Sequence, residues 1–247
     1  MAFASTVSAL PREVVVARLR AQVEALEQRR VEQVYPVPEV LASLLPDQGL
    51  KPGSAYCLGA SGALLLSLLA SPSQEGLWCG VIGVPDLGVE AAKSAGVTLG
   101  RLALIPHPGQ KWLSVVSILS SAVPVVAVRP PALVRPADAS RLATRLRAND
   151  SVLLVVGSWP GSEATLNVEE SRWSGLGQGW GRLSERQVTV SVVSKRYPRP
   201  RRVQLLLPGG DGLAGVVSGA DSTLNTLSEV SSPEVDDTMT RLVGAAR

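Results

Sequence analysis

The chain has 247 residues, 45% of them hydrophobic, with 24 Lys and Arg against 21 Asp and Glu and a net charge of +3. That length covers one sizeable α/β domain plus extensions. Two cysteines, Cys57 and Cys79, and one histidine, His107, exclude a disulfide scaffold and leave too few side chains for a Cys/His metal site or a histidine-based triad.

In chain order, the opening MAFASTVSALPREVVV has no basic leader and no cleavage pattern, so a secretory signal is not expected. Residues 11–34 read as an amphipathic helix with Pro11 in its first turn and no Gly or Pro inside. Val16, Leu19, Val23 and Leu26 form one apolar stripe, and the heptad fails at Arg30, which excludes a long coiled coil. The stripe packs either on its own domain or on a partner. After the proline-punctuated segment YPVPEVLASLLPDQGLKPGS, short apolar runs alternate with helical patterns. SAYCLG, LWCGVIGVP, RLALIPH, VPVVAVRPP and SVLLVVGSWP read as strands. ALLLSLLASP, LGVEAAKSAG (with Gly96 as its cap), KWLSVVSILSS and ADASRLATRLRAND read as helices. This alternation predicts an α/β fold with a mostly parallel sheet and helices on both faces. From Arg172 to Gly209 the pattern becomes alternating strands split by a turn, which predicts an antiparallel extension of the sheet. Residues 209–247 are Gly/Ser-rich, with six acidic and two basic residues, and read as a disordered acidic tail. The expected organisation is a helical arm over 1–35, a core over 36–208 and the tail over 209–247. No run reaches 18 apolar residues, so no membrane span is expected and the compartment is expected to be the cytoplasm.

The order of elements resembles the RecA-type core. QGLKPG, ahead of the first strand, is similar to the turn that enters that core, and KSAGVTLGRL, Lys93 to Leu102, is similar to the KxxGVDxxxL run after its second strand. More closely, VPDLGVEAA, RLALIPHPG, SRWSGLGQGWGRL and the RPP after the fourth strand resemble the actinobacterial ImuA-type proteins, RecA-like accessory factors of SOS mutagenesis. The resemblance spans residues 36–208, and the N-terminal helix resembles the RecA arm. It implies an adaptor without turnover in DNA-damage-induced translesion synthesis. Such an adaptor would bridge an ImuB-type polymerase-like protein and the error-prone DnaE-type polymerase, with RecA and single-stranded DNA as further partners, and would associate with the nucleoid on DNA damage. The arm stripe of Val16, Leu19, Val23 and Leu26 would bind the partner or another copy of the chain.

The phosphate chemistry of that core is missing from the residues. A Walker A loop wraps phosphates in backbone N–H groups, with Lys on the β- and γ-phosphates and Ser/Thr on magnesium. Here Gly59 and Gly62 are too close in sequence for that loop, and Ala63 and Leu64 fill the Lys and Ser/Thr places. The fourth strand ends in Arg129 where a magnesium-binding Asp belongs. Asp86 stands after the second strand, where the RecA core carries its water-activating acid; alone, it reads as a helix N-cap. Gly59 and Gly62 read as structural residues permitting close backbone approach, with weak anion binding at the helix N-terminus left open. The expectation is no enzyme activity, no cofactor and no metal.

Two stretches lie outside that scheme. Lys195, Arg196, Tyr197, Arg199, Arg201 and Arg202, in KRYPRPRR, read as a hairpin loop, either a solvated turn or a phosphate- or partner-contacting one. RWSGLGQGWGRL, with Trp173 and Trp180 around alternating glycines, stands where the resemblance places a mobile DNA-binding loop; an ordered turn with half-buried rings is the plainer reading. Arg129, Arg135, Arg141, Arg145 and Arg147 read as a wet helix face. A single-stranded nucleic-acid-binding module and a SulA-like division inhibitor are the alternative functions.

Overall fold

A computed structural model describes residues 34–177, 180–207 and 215–216. The predicted arm, with Val16, Leu19, Val23 and Leu26, lies outside these residues, as does nearly all of the acidic tail. The chain divides after residue 217, and every described residue belongs to the first unit.

After a short helix α1 (Glu39–Ala42), strands and helices alternate. They are β1 (Ala55–Leu58), α2 (Gly62–Gln74), β2 (Cys79–Ile82), α3 (Val89–Ser94), β3 (Leu102–Ile105), α4 (Trp112–Ala122), β4 (Val125–Val128), α5 (Pro136–Ala148) and β5 (Val152–Val156). Three long strands follow, β6 (Ala164–Gly177), β7 (Trp180–Ser194) and β8 (Tyr197–Leu206), then the short β9 (Gly215–Val216). Each strand and helix read from the sequence up to β5 is present. Gly96 closes α3, its N–H donating to the Lys93 carbonyl at 3.0 Å while Val97 N–H donates to Ala92 at 2.9 Å. α1 and the first half of β6, ATLNVEES, went unread.

The nine strands form one sheet in the order β3-β2-β4-β5-β1-β6-β7-β8-β9. The pairs from β3 to β6 are parallel and those from β6 to β9 antiparallel. The inner parallel strands are buried on both faces, as expected of strands covered by crossover helices. Alternate side chains sort into two cores. Tyr56 and Leu58 of β1 join α1, α2 and α3 on one face, whereas Ala55 and Cys57 join α4 and α5 on the other. β9 pairs with β8 through Leu205↔Val216 and Leu206↔Gly215, so the sheet continues past residue 208.

The hairpin reading of KRYPRPRR changes in detail. Only Lys195 and Arg196 form the turn; from Tyr197 onward the stretch is strand β8, hydrogen-bonded to β7. RWSGLGQGWGRL is likewise not an irregular loop. Its two halves are the ends of β6 and β7, paired as Arg172↔Gln187, Trp173↔Arg186 and on to Gly177↔Trp180. Gly177 and Gly181 fall within the strands and pair across them, with Trp180 and Leu176.

Candidate functional site

The parallel strands β1, β4 and β5 all end at the same edge of the sheet, and β6 leaves β1 there toward the antiparallel side. In an open α/β sheet such a strand-end crevice is where ligands bind. A cleft of 460 Å³ occupies it, lined among others by Gly59, Ala60, Arg129, Ser158, Thr165 and Asn167.

The floor of the cleft is the β1–α2 turn. Leu58 ends β1 and only Gly59, Ala60 and Ser61 separate it from α2. The turn is closed by its own bonds. Gly59 N–H donates to Leu166 O of β6 at 2.8 Å, and Ser61 N–H donates to Gly59 O at 2.7 Å. Ser61 is the N-cap, its Oγ accepting from Leu64 N–H at 3.3 Å. One backbone donor that a helix N-terminus would offer to an anion is thus taken within the chain. Gly59 is tightly packed: a Cβ there would lie 3.1 Å from Asn167 Oδ1, so that side chain would have to shift by a few tenths of an ångström. Gly62 is not. A Cβ at Gly62 would meet nothing within 4 Å, so the expectation that it permits close packing is corrected. Leu64, at the Ser/Thr place, is fully buried in the core, and Ala63, at the Lys place, is partly buried against the same core.

Above the turn, the two acid positions of an ATPase are joined. Arg129 Nη1 donates to Asp86 Oδ1 at 2.6 Å. The Arg129 guanidinium holds the Asp86 carboxyl below the usual carboxylate range, chiefly through that hydrogen bond. Asp86 is therefore not a helix cap. The N-cap of α3 is Gly88, with no side-chain cap bond. The local backbone brings the pair together. Arg129 N–H donates to Ile82 O at 3.0 Å, and Gly83 N–H donates to Ile105 O at 2.9 Å. Gly83 adopts φ +72°, and a Cβ there would lie 2.7 Å from Arg129 O, so both conformation and space require glycine. The Gly in the run VIGVP was a legible turn signal, but its partner across the sheet was not.

Sequence reasoning missed the far wall of the cleft. Ser158 and Trp159 follow β5, and Thr165 and Asn167 lie on β6. The Gly-Ser step after the apolar run SVLLVV marked a strand end at a ligand-bearing edge, which was the available signal. Cys57 Sγ lies 3.8 Å from Trp159 O. Both cysteines are free and buried, and burial pushes the Cys79 thiol up to about 12.

The other singled-out residues lie apart from this cleft. Arg196 is held by Asp47 at 2.7 Å and Glu163 at 3.3 Å. Arg202 forks onto Glu169 at 2.8 and 3.3 Å, holding that carboxyl low. Arg201 stacks 3.5 Å over the Tyr197 ring and donates to Ser43 O at 3.2 Å. Three of the five cations of KRYPRPRR are thus engaged within the fold; Lys195 and Arg199 are exposed. Trp173 is 53% exposed and lies under Arg186, 5.5 Å from ring to guanidinium. Trp180 begins β7. Among the described residues, no group of three or more His, Cys, Asp or Glu could hold a metal ion, and no helix is long and apolar enough to cross a membrane.

Comparison with known proteins bears on both fold and family. The family of the MT3502 N-terminal domain matches residues 43–161. The uncharacterized protein Rv3395c of Mycobacterium tuberculosis (strain ATCC 25618 / H37Rv) is 32% identical over 152 residues, covering 59% of this chain and 74% of that protein. Among solved structures, the RadB recombinase superposes with a TM-score of 0.52 at 15% identity, over 72% of this chain and 97% of that one. The last likeness shows the fold, which is RecA-like.

Proposed function

The chain belongs to the family of Rv3395c and the MT3502 N-terminal domain, and from that premise we propose that it is a non-catalytic RecA-like adaptor of DNA-damage-induced translesion synthesis. In this reading it is an ImuA-type protein of the SOS response. It bridges an ImuB-type polymerase-like protein and an error-prone DnaE-type polymerase in the cytoplasm, joining the nucleoid when DNA is damaged. No cofactor is involved.

One observation carries the reading: the Asp86–Arg129 ion pair, whose arginine lines the strand-end cleft. A RecA-type ATPase needs its acids at this edge free to hold magnesium and to orient water. Here one of the two positions is a cation, and it neutralises the other. A triphosphate would meet no lysine at Ala63 and no magnesium ligand at Leu64. The arm stripe of Val16, Leu19, Val23 and Leu26, read from the sequence, is the proposed partner-binding element, because an amphipathic helix gains most of its stability by packing its apolar face.

The test has two parts. Isothermal calorimetry with ATP and magnesium should give no binding in the micromolar range. Co-purification with the ImuB-type protein should be lost in the Leu19→Asp, Leu26→Asp double variant while its melting curve stays that of the wild type. Micromolar ATP affinity, or retention of the partner by a folded double variant, would overturn the reading.

A further inference from the structure

Charge is divided between the two helical layers. Residues 34–106, which supply α1, α2 and α3, contain five acidic and three basic residues. Residues 107–149, which supply α4 and α5, contain six basic residues and one acidic one, Asp138. Within that second group Arg129 is tied to Asp86 at the cleft, and the Arg147 stem lies beside the Gly53 backbone. Lys111, Arg135, Arg141 and Arg145 remain, all exposed.

Arg141 and Arg145 mark a seam between α4 and α5. α4 and α5 pack side by side on the same core. Arg145 Nη1 donates across the seam to Ser117 Oγ of α4, which fixes the guanidinium between the two helices. Arg141 precedes it by one turn on the same face of α5. Its nearest carboxylate, Asp138, is 3.6 Å away, and the Arg141 side chain is 82% exposed. On α4 the exposed face carries Ser114, Ile118 and Ser121. Ile118 is 68% exposed, and Leu133, in the loop before α5, is 91% exposed. Ile118, so open next to the Ser117 that holds the Arg145 guanidinium, fits a surface that is covered in a complex.

Two polyanions could meet this charge, and the side chains distinguish them. Single-stranded nucleic acid binds by stacking bases on aromatic rings as well as by phosphate contacts. The seam has no exposed Trp, Tyr or Phe; its one aromatic, Trp112, packs on the core. It offers aliphatic anchors and arginines instead. From these features we infer that the α4–α5 seam docks an acidic segment of a partner protein, one that places an aliphatic side chain on Ile118 and carboxylates on Arg141 and Arg145. The inference rests on the adaptor reading, for which it names a docking surface on the described core.

The full chain is titrated with a fluorescent synthetic helical peptide of Glu and Leu in heptad pattern, followed by anisotropy at low and at physiological salt. A Lys/Leu peptide of the same pattern and an oligothymidine of equal charge are the comparison probes. The Glu/Leu peptide should bind, more weakly at higher salt because exposed charges are screened, and the Lys/Leu peptide should not. Arg141→Ser with Arg145→Ser should weaken binding about tenfold, two rim charge contacts being enough for that factor. Ile118→Ser should weaken it as well. Circular dichroism confirms folding, and Arg141→Ser alone serves if loss of the Ser117 contact unfolds the double variant. Unchanged affinity in these folded variants overturns the inference. So does oligothymidine binding that matches the peptide and ignores Ile118→Ser, which would make the seam a nucleic-acid surface. Co-purification of the ImuB-type protein with the same variants separates the two readings. If wild type retains no translesion component, the adaptor reading fails, while the peptide titration still decides the seam.

Discussion

Restoring the Walker residues should damage this protein rather than repair it. In Ala63→Lys with Leu64→Thr, the second change acts in the core. Leu64 is fully buried in the first turn of α2, packed with residues of the β1, β4 and β5 strands. Large-to-small core changes of leucine cost about 2–5 kcal/mol, part transfer energy and part cavity. Threonine keeps one methyl, and its hydroxyl can bond back to a carbonyl three or four residues earlier, so we expect a loss of about 3 kcal/mol. That is a large share of the roughly 5–15 kcal/mol that holds a domain together. At about 2–4 °C per kcal/mol for a domain of this size, the melting temperature should fall by roughly 6–12 °C. Urea denaturation followed by tryptophan fluorescence measures the free energy, and calorimetry measures MgATP binding. The three-residue Gly59-Ala60-Ser61 turn is unchanged in the variant, and so is Arg129 at the magnesium-acid place. No ATP binding should therefore appear. A double variant as stable as wild type that binds MgATP at micromolar concentration would refute both the packing argument and the claim that loop length, not just the lysine, is missing.

Arg129→Ala should return the Asp86 carboxyl to the ordinary carboxylate range, read by NMR titration of its side chain. In the wild type the folded-state value is depressed, so the stabilisation from this pair is present above the unfolded-state value near 3.9 and is lost as pH falls through the lower folded value. Acid unfolding should therefore be less steep in Arg129→Ala; an identical acid limb and an unmoved Asp86 titration would count against the pair. Arg196→Ala removes the cation that holds Asp47 and Glu163 together and should cost about 1 kcal/mol, screening by solvent keeping it low. Its neighbour Lys195→Ala should stay within about 0.5 kcal/mol of wild type, as surface changes usually do. Equal effects of the two, measured by chemical denaturation, would mean the clamp is not made in solution.

Periodicity made most of this fold legible. The apolar runs of four or five residues that became β1, β2, β4 and β5 have nowhere to sit except a sheet covered on both faces, and the helical patterns between them require parallel crossovers. The shortness of the β1–α2 turn was equally legible, because loop length and residue identity are properties of the chain itself. What stayed hidden depended on neighbours far apart in sequence. Asp86 read as a cap because local preference favours that role, yet 43 residues later Arg129 claims it, since β2 and β4 are adjacent in the sheet. Gly59 and Gly62 looked alike in sequence. Only the position of Asn167 on β6 crowds the one and leaves the other open. Arg196, Arg201 and Arg202 of KRYPRPRR read as part of a solvated turn or a contacting loop until the β7–β8 turn and β8 placed them beside Asp47, Ser43 and Glu169. The glycines of RWSGLGQGWGRL suggested a loop by their backbone freedom, and pairing between β6 and β7 overrode it. Hydrophobic pattern and loop length act within a few residues, so the chain alone determined the α/β frame and the three-residue β1–α2 turn. Ion pairs, close backbone approaches and the seam between α4 and α5 exist only once strand order has brought distant segments together, so the tertiary structure alone decided which charges are engaged and which are left exposed.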